Sequence, residues 1–389
     1  MEAYSKAIQL LTSVASEHGF LASANDVANY KRVWARDGVI CGLAGLVDGN
    51  AKLIESFKIT LESLAAHQHD LGNIPSNVYF GESQTEISFG GLAGRVDTIA
   101  WFVIGVCQYA HFTKDTNFLE RNREAVEKGL RLLSCWEFNN ADLVYVPRSG
   151  NWADEYPILG HTLYDQLLRL WALRCFAKVG ASDDASAKAN RIQKKIELNY
   201  KKREGSKDVY HPKAYGSLAV KPYWAATLEP AGYQDQFDAF GNSLALILNL
   251  GAAEDTSGLI EFAENTRKEL KDKLLPAFWP AIFEGDVQWP FLINNCKYEF
   301  RNFPYEFHNG GVWQMVNGFY GLGLVASGEK QLASAVLDHI NLLNAKENWS
   351  FYENFNAKTS DPNGVPLCSW SAAAAVLLTQ ALNGKELLR

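Results

Sequence analysis

Apolar residues recur along the chain at the spacing of one face of an α-helix. In one segment Ile99, Phe102, Val103, Val106 and Tyr109 follow this spacing, and similar runs precede and follow it. Residues three and four positions apart lie on the same side of a helix, so each run predicts a helix with one buried face. The pattern predicts about twelve helices, at residues 3–17, 38–48, 51–69, 97–113, 117–136, 161–180, 184–203, 238–251, 257–273, 311–326, 329–344 and 369–384.

The connections between these helices alternate between short and long. Short turns, such as the one between the helices at 97–113 and 117–136, fit pairs of antiparallel neighbours. The long connections are rich in Gly, Pro, Asn, Trp and Tyr, and long ordered loops of this kind usually carry function. They lie at about residues 70–96, 137–160, 204–237, 274–310 and 345–368.

This layout predicts an all-α fold, an (α/α)6 toroid of six helical hairpins with the long loops gathered at one end. The chain of 389 residues exceeds the usual size of one domain. A closed ring of helices accounts for the whole length, so we expect a single domain over residues 1–389. We expect one acidic, aromatic-lined pocket where the long loops converge, near residues 70–96, 145–158, 222–237, 286–310 and 346–366.

Charge and composition narrow the class of ligand. The formal net charge is −7, so the chain has no positive field for nucleic acid or an acidic membrane, and it suits a neutral small-molecule substrate. The 11 Trp, 16 Tyr and 21 Phe include many rings in loops, where they can stack on sugars. An aromatic core, common in large helical proteins, accounts for these numbers equally well.

The six cysteines are far apart and lie mostly in apolar helical patterns, which favours reduced thiols. The first residues lack the pattern of a signal peptide, and no apolar run is long enough to cross a bilayer. These features predict a cytoplasmic protein. No Cys-x-x-Cys or His-x-x-x-His motif occurs, so we expect neither a metal site nor a cofactor. Homo-oligomerisation is left open.

Two motifs place charged residues where predicted helices begin. Trp34-Ala-Arg-Asp contains Arg36 and Asp37, which can present a charged fork and an acceptor to sugar hydroxyls while Trp34 covers the ring face. Gly94-Arg-Val-Asp contains Arg95 and Asp97, which can contact the sugar or support a catalytic acid. Helix capping by either aspartate is the structural alternative.

The stretch at residues 148–157 places two carboxyl groups next to a tryptophan, in a loop that runs into a predicted helix. Asp154 and Glu155 follow Trp152 closely. A general acid must keep its proton near neutral pH, and an aromatic wall favours the protonated form. The sequence predicts Asp154 as the general acid, with Glu155 or Asp97 as the next candidates, and a solvated carboxylate is the structural alternative.

The segment at residues 302–313 has more aromatic, amide and glycine residues than helix packing requires. Glycines let backbone amides approach a ligand closely. We expect this segment to contact substrate unless it is a purely structural turn. Its candidate residues are Glu306, His308, Asn309 and Trp313.

Residues 349–356 set one carboxylate, Glu353, among four aromatic and two amide residues, with Tyr352 beside it. Hydrolysis of a glycosidic bond needs two carboxyl groups on opposite faces of the sugar, and space for a water between them leads to inversion. Asp154 and Glu353 both lie in loops assigned to the same end of the barrel. We therefore predict Glu353 as the general base.

In this order the motifs resemble those of the (α/α)-barrel glycoside hydrolases, a group with neutral and alkaline invertases, glucoamylases, trehalases and debranching-type glucosidases. Phe307-His-Asn-Gly-Gly-Val-Trp is similar to the Tyr-His-Asn-Gly-Gly-Ser-Trp segment of neutral invertases. Trp34-Ala-Arg-Asp resembles the glucoamylase motif whose Arg-Asp pair holds the terminal glucose. The resemblance implies a metal-independent hydrolase with Asp154 as acid and Glu353 as base.

Departures from these families leave the substrate open. Invertases carry Ile-Asp-Arg-Arg where this chain has Ala-Asp-Glu-Tyr at 153–156, and glucoamylases use Glu as the acid. Sucrose is the first candidate substrate of an exo-acting, inverting enzyme, and the runner-up is an α-1,6-glucoside. The alternatives of another class are a sugar 2-epimerase, which would need paired histidines, and a non-catalytic carbohydrate-binding barrel.

Overall fold

The computed structural model describes residues 2–389, which contain twelve long and three short helices. They are α1 (Glu2–Ser13), α2 (Ala35–Asp48), α3 (Ala51–Ala66), α4 (Asp97–Thr113), α5 (Thr116–Cys135), α6 (Leu163–Val179), α7 (Asp183–Asn199), α8 (Pro212–Ser217), α9 (Ala239–Ile247), α10 (Ala253–Glu269), α11 (Trp289–Ile293), α12 (Gln314–Ala326), α13 (Lys330–Asn344), α14 (Lys346–Trp349) and α15 (Ser369–Leu382). The twelve long helices correspond to the twelve predicted segments. The short ones, α8, α11 and α14, lie in long connections.

Six helices form a closed inner ring. Helices α2, α4, α6, α9, α12 and α15 each pack against the next, and α15 packs against α2. Nearly every side chain of an inner helix is buried, which agrees with the mostly apolar sequences of α4 and α9. The outer helices α1, α3, α5, α7, α10 and α13 bury one stripe, as α5 does with Phe118, Val126 and Leu133. The predicted (α/α)6 toroid is confirmed.

The direction of the chain places all long connections at one end of the barrel. Each inner helix passes into the next outer helix through a short turn, and each outer helix returns to an inner one through a long connection. The N-termini of the six inner helices therefore meet the long connections at the same end. The positive ends of the helix dipoles also lie there.

Short strands in the long connections form four small antiparallel sheets. The strands are β1 (Ala15–Ser16), β2 (Gly19–Phe20), β3 (Val33–Trp34), β4 (Asn77–Phe80), β5 (Thr85–Ser88), β6 (His161–Thr162), β7 (Ala225–Glu229), β8 (Gly232–Asp238), β9 (Phe278–Trp279), β10 (Asn354–Phe355) and β11 (Pro362–Asn363). They pair as β1-β2, β3-β4-β5, β6-β7-β8-β9 and β10-β11. All-α therefore describes the barrel but not its connections, where most strands have two to four residues and the two longest, β7 and β8, form a hairpin.

Aromatic rings fill the barrel axis. The ring of Trp101 on α4 lies 6.1 Å from Trp171 on α6, 6.4 Å from Phe240 on α9 and 5.8 Å from Phe319 on α12. Trp152 lies 5.6 Å from Phe240 and continues this packing towards the end with the long connections. The barrel is therefore closed beneath that end. Within residues 2–389 no helix combines the length and hydropathy needed to cross a bilayer.

Candidate active site

A cavity of about 640 Å³ lies over the N-termini of the inner helices, and its size is typical of small-molecule sites. Five of the six long connections line it. The sixth connection, which contains the predicted loop at 222–237, forms the β7-β8 hairpin and supplies no lining residue. The predicted site residues in the lining are Trp34, Arg36, Asp37, Arg95, Trp152, Asp154, His308, Trp313 and Glu353.

A chain of hydrogen bonds holds Arg36 at the inner end of the cavity, which is the end next to the barrel axis. Its Nη1 donates to Asp97 Oδ2 over 2.6 Å, and the Tyr164 hydroxyl donates to the same oxygen over 3.0 Å. The Trp101 indole in turn donates to the Tyr164 hydroxyl over 2.9 Å. Burial alone would lower the pKa of Arg36, but the charge and hydrogen bond of Asp97, together with Tyr164 and Asp37, raise that pKa overall. Arg36 therefore presents a fixed positive charge.

Asp37 and Trp34 complete the inner end. Asp37 is buried, and desolvation raises its pKa to about 6 although the charge of Arg36 opposes the shift. The Trp34 indole N–H donates to the backbone oxygen of Asn29 over 2.9 Å, which fixes the ring against the cavity wall. Helices α2 and α4 begin without a side-chain cap, so capping does not explain Asp37 or Asp97.

Asp154 lies on another wall of the cavity, in the connection before α6. Its side chain is 36% exposed, and the guanidinium of Arg95 donates to its Oδ2. Arg95 also donates to the backbone oxygen of Ser149 over 2.6 Å, so the guanidinium is fixed from two sides. The ring of Trp152 packs on Phe278 at 6.2 Å. The defined partner of the Asp154 carboxyl is therefore Arg95, whereas the sequence suggested an aromatic wall.

The neighbouring carboxyl, Glu155, has a different partner. Arg301 donates to its two oxygens over 3.0 and 3.4 Å, and the same guanidinium lies 4.2 Å from the ring centre of Phe307. Burial raises the pKa of Glu155, while Arg301 acts in the opposite direction. Glu155 and Arg301 thus form a partly buried ion pair in the cavity wall next to Asp154.

Glu353 is enclosed in the connection between α13 and α15. The Tyr30 hydroxyl donates to its Oε1 over 2.6 Å, and its buried Oε2 has no hydrogen-bond partner within residues 2–389. Desolvation raises the pKa of Glu353 to about 7, with smaller contributions from the charges of Asp37 and Asp154, while Tyr30 and Arg301 lower it. The group is therefore poised to exchange a proton near neutral pH.

Aromatic rings form the wall between these charged groups. His308 stacks on Trp313 with ring centres 5.2 Å apart and an angle of 7°, and Trp152 meets both rings edge on. Burial lowers the pKa of His308 well below its usual value, and nearby arginines add to the effect. His308 is therefore neutral and offers an aromatic surface, and its buried Nδ1 has no hydrogen-bond partner among residues 2–389.

Four of the predicted contact residues lie outside the lining of the cavity. Asp97 lies behind Arg36 and holds it. The Asn309 amide donates to the backbone oxygens of Ile282 and Asn302, so it joins two loop segments. The remaining two also bond to protein groups: Glu306 accepts from the Asn356 amide, and the Tyr352 hydroxyl donates to Glu347.

The structure adds lining residues that the motifs did not single out. Tyr30, Arg301 and Trp370 all line the cavity. Tyr30 lies four residues before Trp34, and Arg301 directly precedes the segment at 302–313. Their closeness in sequence to a predicted motif could therefore have identified both as site residues. Within residues 2–389 no three His, Cys, Asp or Glu side chains are grouped so that they could hold a metal ion.

Comparisons with known proteins agree with this architecture. The model of the family described as alkaline and neutral invertase matches residues 6–204 and 219–384. Alkaline/neutral invertase C of Arabidopsis thaliana is 24% identical over 83% of this chain and 57% of its own length. Cytosolic invertase 1 of Oryza sativa subsp. japonica is 22% identical over 85% of this chain and 67% of its own length.

Solved structures share the fold at lower identity. Mannosylglycerate hydrolase from Thermus thermophilus has a TM-score of 0.72 and 15% identity, over 97% of this chain and 99% of that chain. A bacterial glucoamylase complexed with acarbose has a TM-score of 0.67 and 16% identity, over 100% of this chain and 56% of that chain. The family model covers most of the sequence, so the chain belongs to the alkaline and neutral invertase family and is a glycoside hydrolase.

Proposed function

We propose that the protein is an exo-acting, inverting hydrolase of a small α-glucoside, with Asp154 as general acid and Glu353 as general base. One observation carries the proposal: both carboxyl groups line the same cavity although they come from distant connections. Only Glu353 is buried, and its pKa is raised to about 7. Two carboxyl groups in unlike environments suit the separate tasks of acid and base.

The proposed reaction is a single displacement. Glu353 takes a proton from a water molecule, whose oxygen forms a bond to the anomeric carbon as the glycosidic bond breaks. Asp154 gives its proton to the departing oxygen. Because Arg95 donates to Oδ2 of Asp154, the other oxygen, Oδ1, is the one that can carry this proton. The water supplies the hydroxyl of the released sugar and, through Glu353, the proton that returns the site to its starting state.

The shape of the cavity supports attack at the end of a sugar chain. Its inner end is closed by Arg36 and Asp37 and by the aromatic packing beneath them. A terminal glucose fits this arrangement, since Arg36 can donate to vicinal hydroxyls while Asp37 accepts from one. A chain that continued past this sugar would meet the packed barrel axis.

Sucrose is the first candidate substrate. The support is membership of the alkaline and neutral invertase family together with the segment Phe307-His-Asn-Gly-Gly-Val-Trp. An α-1,6-glucoside is the second candidate, because one observation departs from the invertase pattern. Glu155, paired with Arg301, occupies the position after the acid where invertases carry arginine.

Thin-layer analysis of the purified protein against sucrose, isomaltose, maltose and trehalose tests the substrate. Release of glucose and fructose from sucrose supports the first candidate, and glucose from isomaltose alone supports the second. Proton NMR of the first product tests the stereochemistry, because an inverting enzyme releases β-glucose from an α-glucoside. The Glu353→Gln variant is the control for contaminating hydrolases. No sugar release from any of the four would count against the proposal.

We also propose a cytoplasmic location. The support is that all six cysteines are free, four of them buried in the protein. Reduced thiols are typical of the cytosol. Fractionation of the source cells with antibodies against the protein tests this proposal, and recovery in the membrane or secreted fraction would contradict it.

A further inference from the structure

Residues 295–302, here termed the arm, cross the cavity mouth beside Asp154. The buried Asn295 fixes the start of the arm, because its amide donates to the backbone oxygen of Asp154 over 3.3 Å. The buried Asn302 fixes the end by donating to the backbone oxygen of Glu155 over 3.0 Å. The arm is thus clamped at both ends onto the loop that carries the proposed acid, and its position relative to Asp154 is set before substrate binds.

Three consecutive side chains of the arm line the cavity and are exposed: Lys297, Tyr298 and Glu299. The residue Tyr298 is 81% exposed, whereas tyrosines in folded proteins are usually partly buried. The ammonium of Lys297 lies 5.3 Å from the centre of the Tyr298 ring. A Cβ at Gly91 on the opposite lip would lie 3.7 Å from Cδ of Lys297, so the arm reaches across the mouth.

The charges of the arm differ from the arginines that line the cavity. Arg36, Arg95 and Arg301 are each bound to a carboxylate of the protein. Lys297 and Glu299, by contrast, take part in none of the ion pairs formed within residues 2–389. A donor and an acceptor without an ion-pair partner among residues 2–389 therefore flank an exposed aromatic ring.

The position of the arm relates it to one half of the substrate. In the proposed mechanism the terminal sugar lies against Arg36 and Asp37, at the inner end. The group protonated by Asp154 is the leaving group, and it must lie on the outer side of the bond that breaks. Since the arm is clamped to the loop of Asp154, a leaving group there lies under the arm.

We infer that the arm binds the leaving group and that this group is a neutral sugar, an inference that rests on the proposed function. A sugar offers hydroxyls that both donate and accept, and an apolar C–H face that can cover an aromatic ring. Lys297 can donate to a hydroxyl, Glu299 can accept from one, and the ring of Tyr298 can lie against the C–H face. A small alcohol would leave them unused, and an anionic group would meet the carboxylate of Glu299.

Kinetics with two substrates of the same terminal glucose test the inference. One is the disaccharide that the wild-type protein cleaves best, and the other is α-glucosyl fluoride, whose leaving group is too small to touch the arm. Tyr298→Ala should lower kcat/KM for the disaccharide roughly tenfold, the size of one lost aromatic contact. It should leave kcat/KM for the fluoride unchanged. Phe138→Ala is the matched control, because Phe138 is 74% exposed and lies outside the cavity.

The charged residues give the second pair of variants. Lys297→Met keeps the stem of the side chain near Gly91 but removes the donor, and Glu299→Gln removes the charge of the acceptor. Each should lower kcat/KM for the disaccharide and spare the fluoride. The wild-type protein should also prefer the disaccharide to methyl α-glucoside and to α-glucose 1-phosphate. Equal losses on both substrates, or a preference for the phosphate, would overturn the inference.

Binding measured without turnover separates failure of the inference from failure of the proposed function. Calorimetry in the Asp154→Asn background should show tighter binding of the disaccharide than of glucose, and Tyr298→Ala should remove that difference. If glucose binds but the disaccharide binds no tighter, the arm is not a sugar site. If neither sugar binds, the proposed function is wrong, and the inference is wrong as well because it rests on that function.

Discussion

The hydroxyl of Tyr30 donates to Oε1 of Glu353 over 2.6 Å, while Oε2 of the same carboxyl is buried and has no hydrogen-bond partner in the described part of the chain. The two residues come from the first and last long connections of the barrel. Tyr30 stabilises the ionised form of Glu353, and the enclosure of Oε2 disfavours it. The balance between these effects sets a pKa of about 7, which is the property that the proposed general base needs.

Removing the Tyr30 hydroxyl should change the pH dependence of catalysis. The hydrogen bond lowers the pKa of Glu353, so Tyr30→Phe should raise that pKa by about one to two units. A base acts in its ionised form, so kcat/KM of the wild-type protein should rise with pH through about 7. In the variant this rise should move to higher pH. The control is Tyr352→Phe, whose hydroxyl donates to Glu347 instead. An unmoved pH profile would show that Glu353 is not the base.

The backbone next to Glu353 should tolerate no side chain. Gly364 has a φ of +72°, and a Cβ there would lie 2.4 Å from Oε2 of Glu353. Gly364→Ala should therefore displace the carboxyl and lower kcat strongly. Gly328→Ala is the matched control, because Gly328 has a φ of +86° but nothing within 4 Å of the added Cβ. Both variants should lose about 1–2 kcal/mol of stability from backbone strain. Equal kcat values in the two would contradict the close approach.

Glu353 should also make stability depend on pH. Its pKa is raised from 4.5 to about 7 on folding, so between these values the folded state binds more protons than the unfolded state. The contribution of Glu353 to the free energy of unfolding is therefore greatest at low pH. It falls by about 3 kcal/mol in total as the pH rises through this window. Glu353→Gln cannot ionise and should be more stable than wild type at about pH 8, but not at about pH 4. Urea unfolding of both proteins at the two pH values measures the difference.

The sequence was sufficient to predict the barrel because inner and outer helices both leave a helical spacing of apolar residues. The alternation of short and long connections then places the functional loops at one end. The shortest strands were not predictable: β3, for example, contains only two residues and exists through pairing with β4, which is distant in the sequence. Periodicity records local burial and carries no information on such pairing.

The candidate site was predictable as a set of loops but not as a set of contacts. Asn309 belongs to the most family-like motif, yet its amide joins two segments of the protein. Arg301 lies directly before the same motif and faces the cavity. A motif records which residues occur together, whereas the direction of each side chain depends on loop packing. The partners of Asp154 and Glu353, which are Arg95 and Tyr30, also come from connections far away in the sequence.

The sharpest prediction concerns the proposed acid. Asp154→Asn keeps an oxygen that can accept from Arg95 but cannot supply a proton, so the fold should be retained. Turnover of a disaccharide, whose leaving group needs that proton, should fall by roughly 10²–10⁴. Turnover of α-glucosyl fluoride should change far less, because fluoride departs without a full proton transfer. Glu155→Gln is the matched control, since it alters the adjacent carboxyl and its pair with Arg301. If Glu155→Gln shows this selective loss instead, Glu155 is the acid.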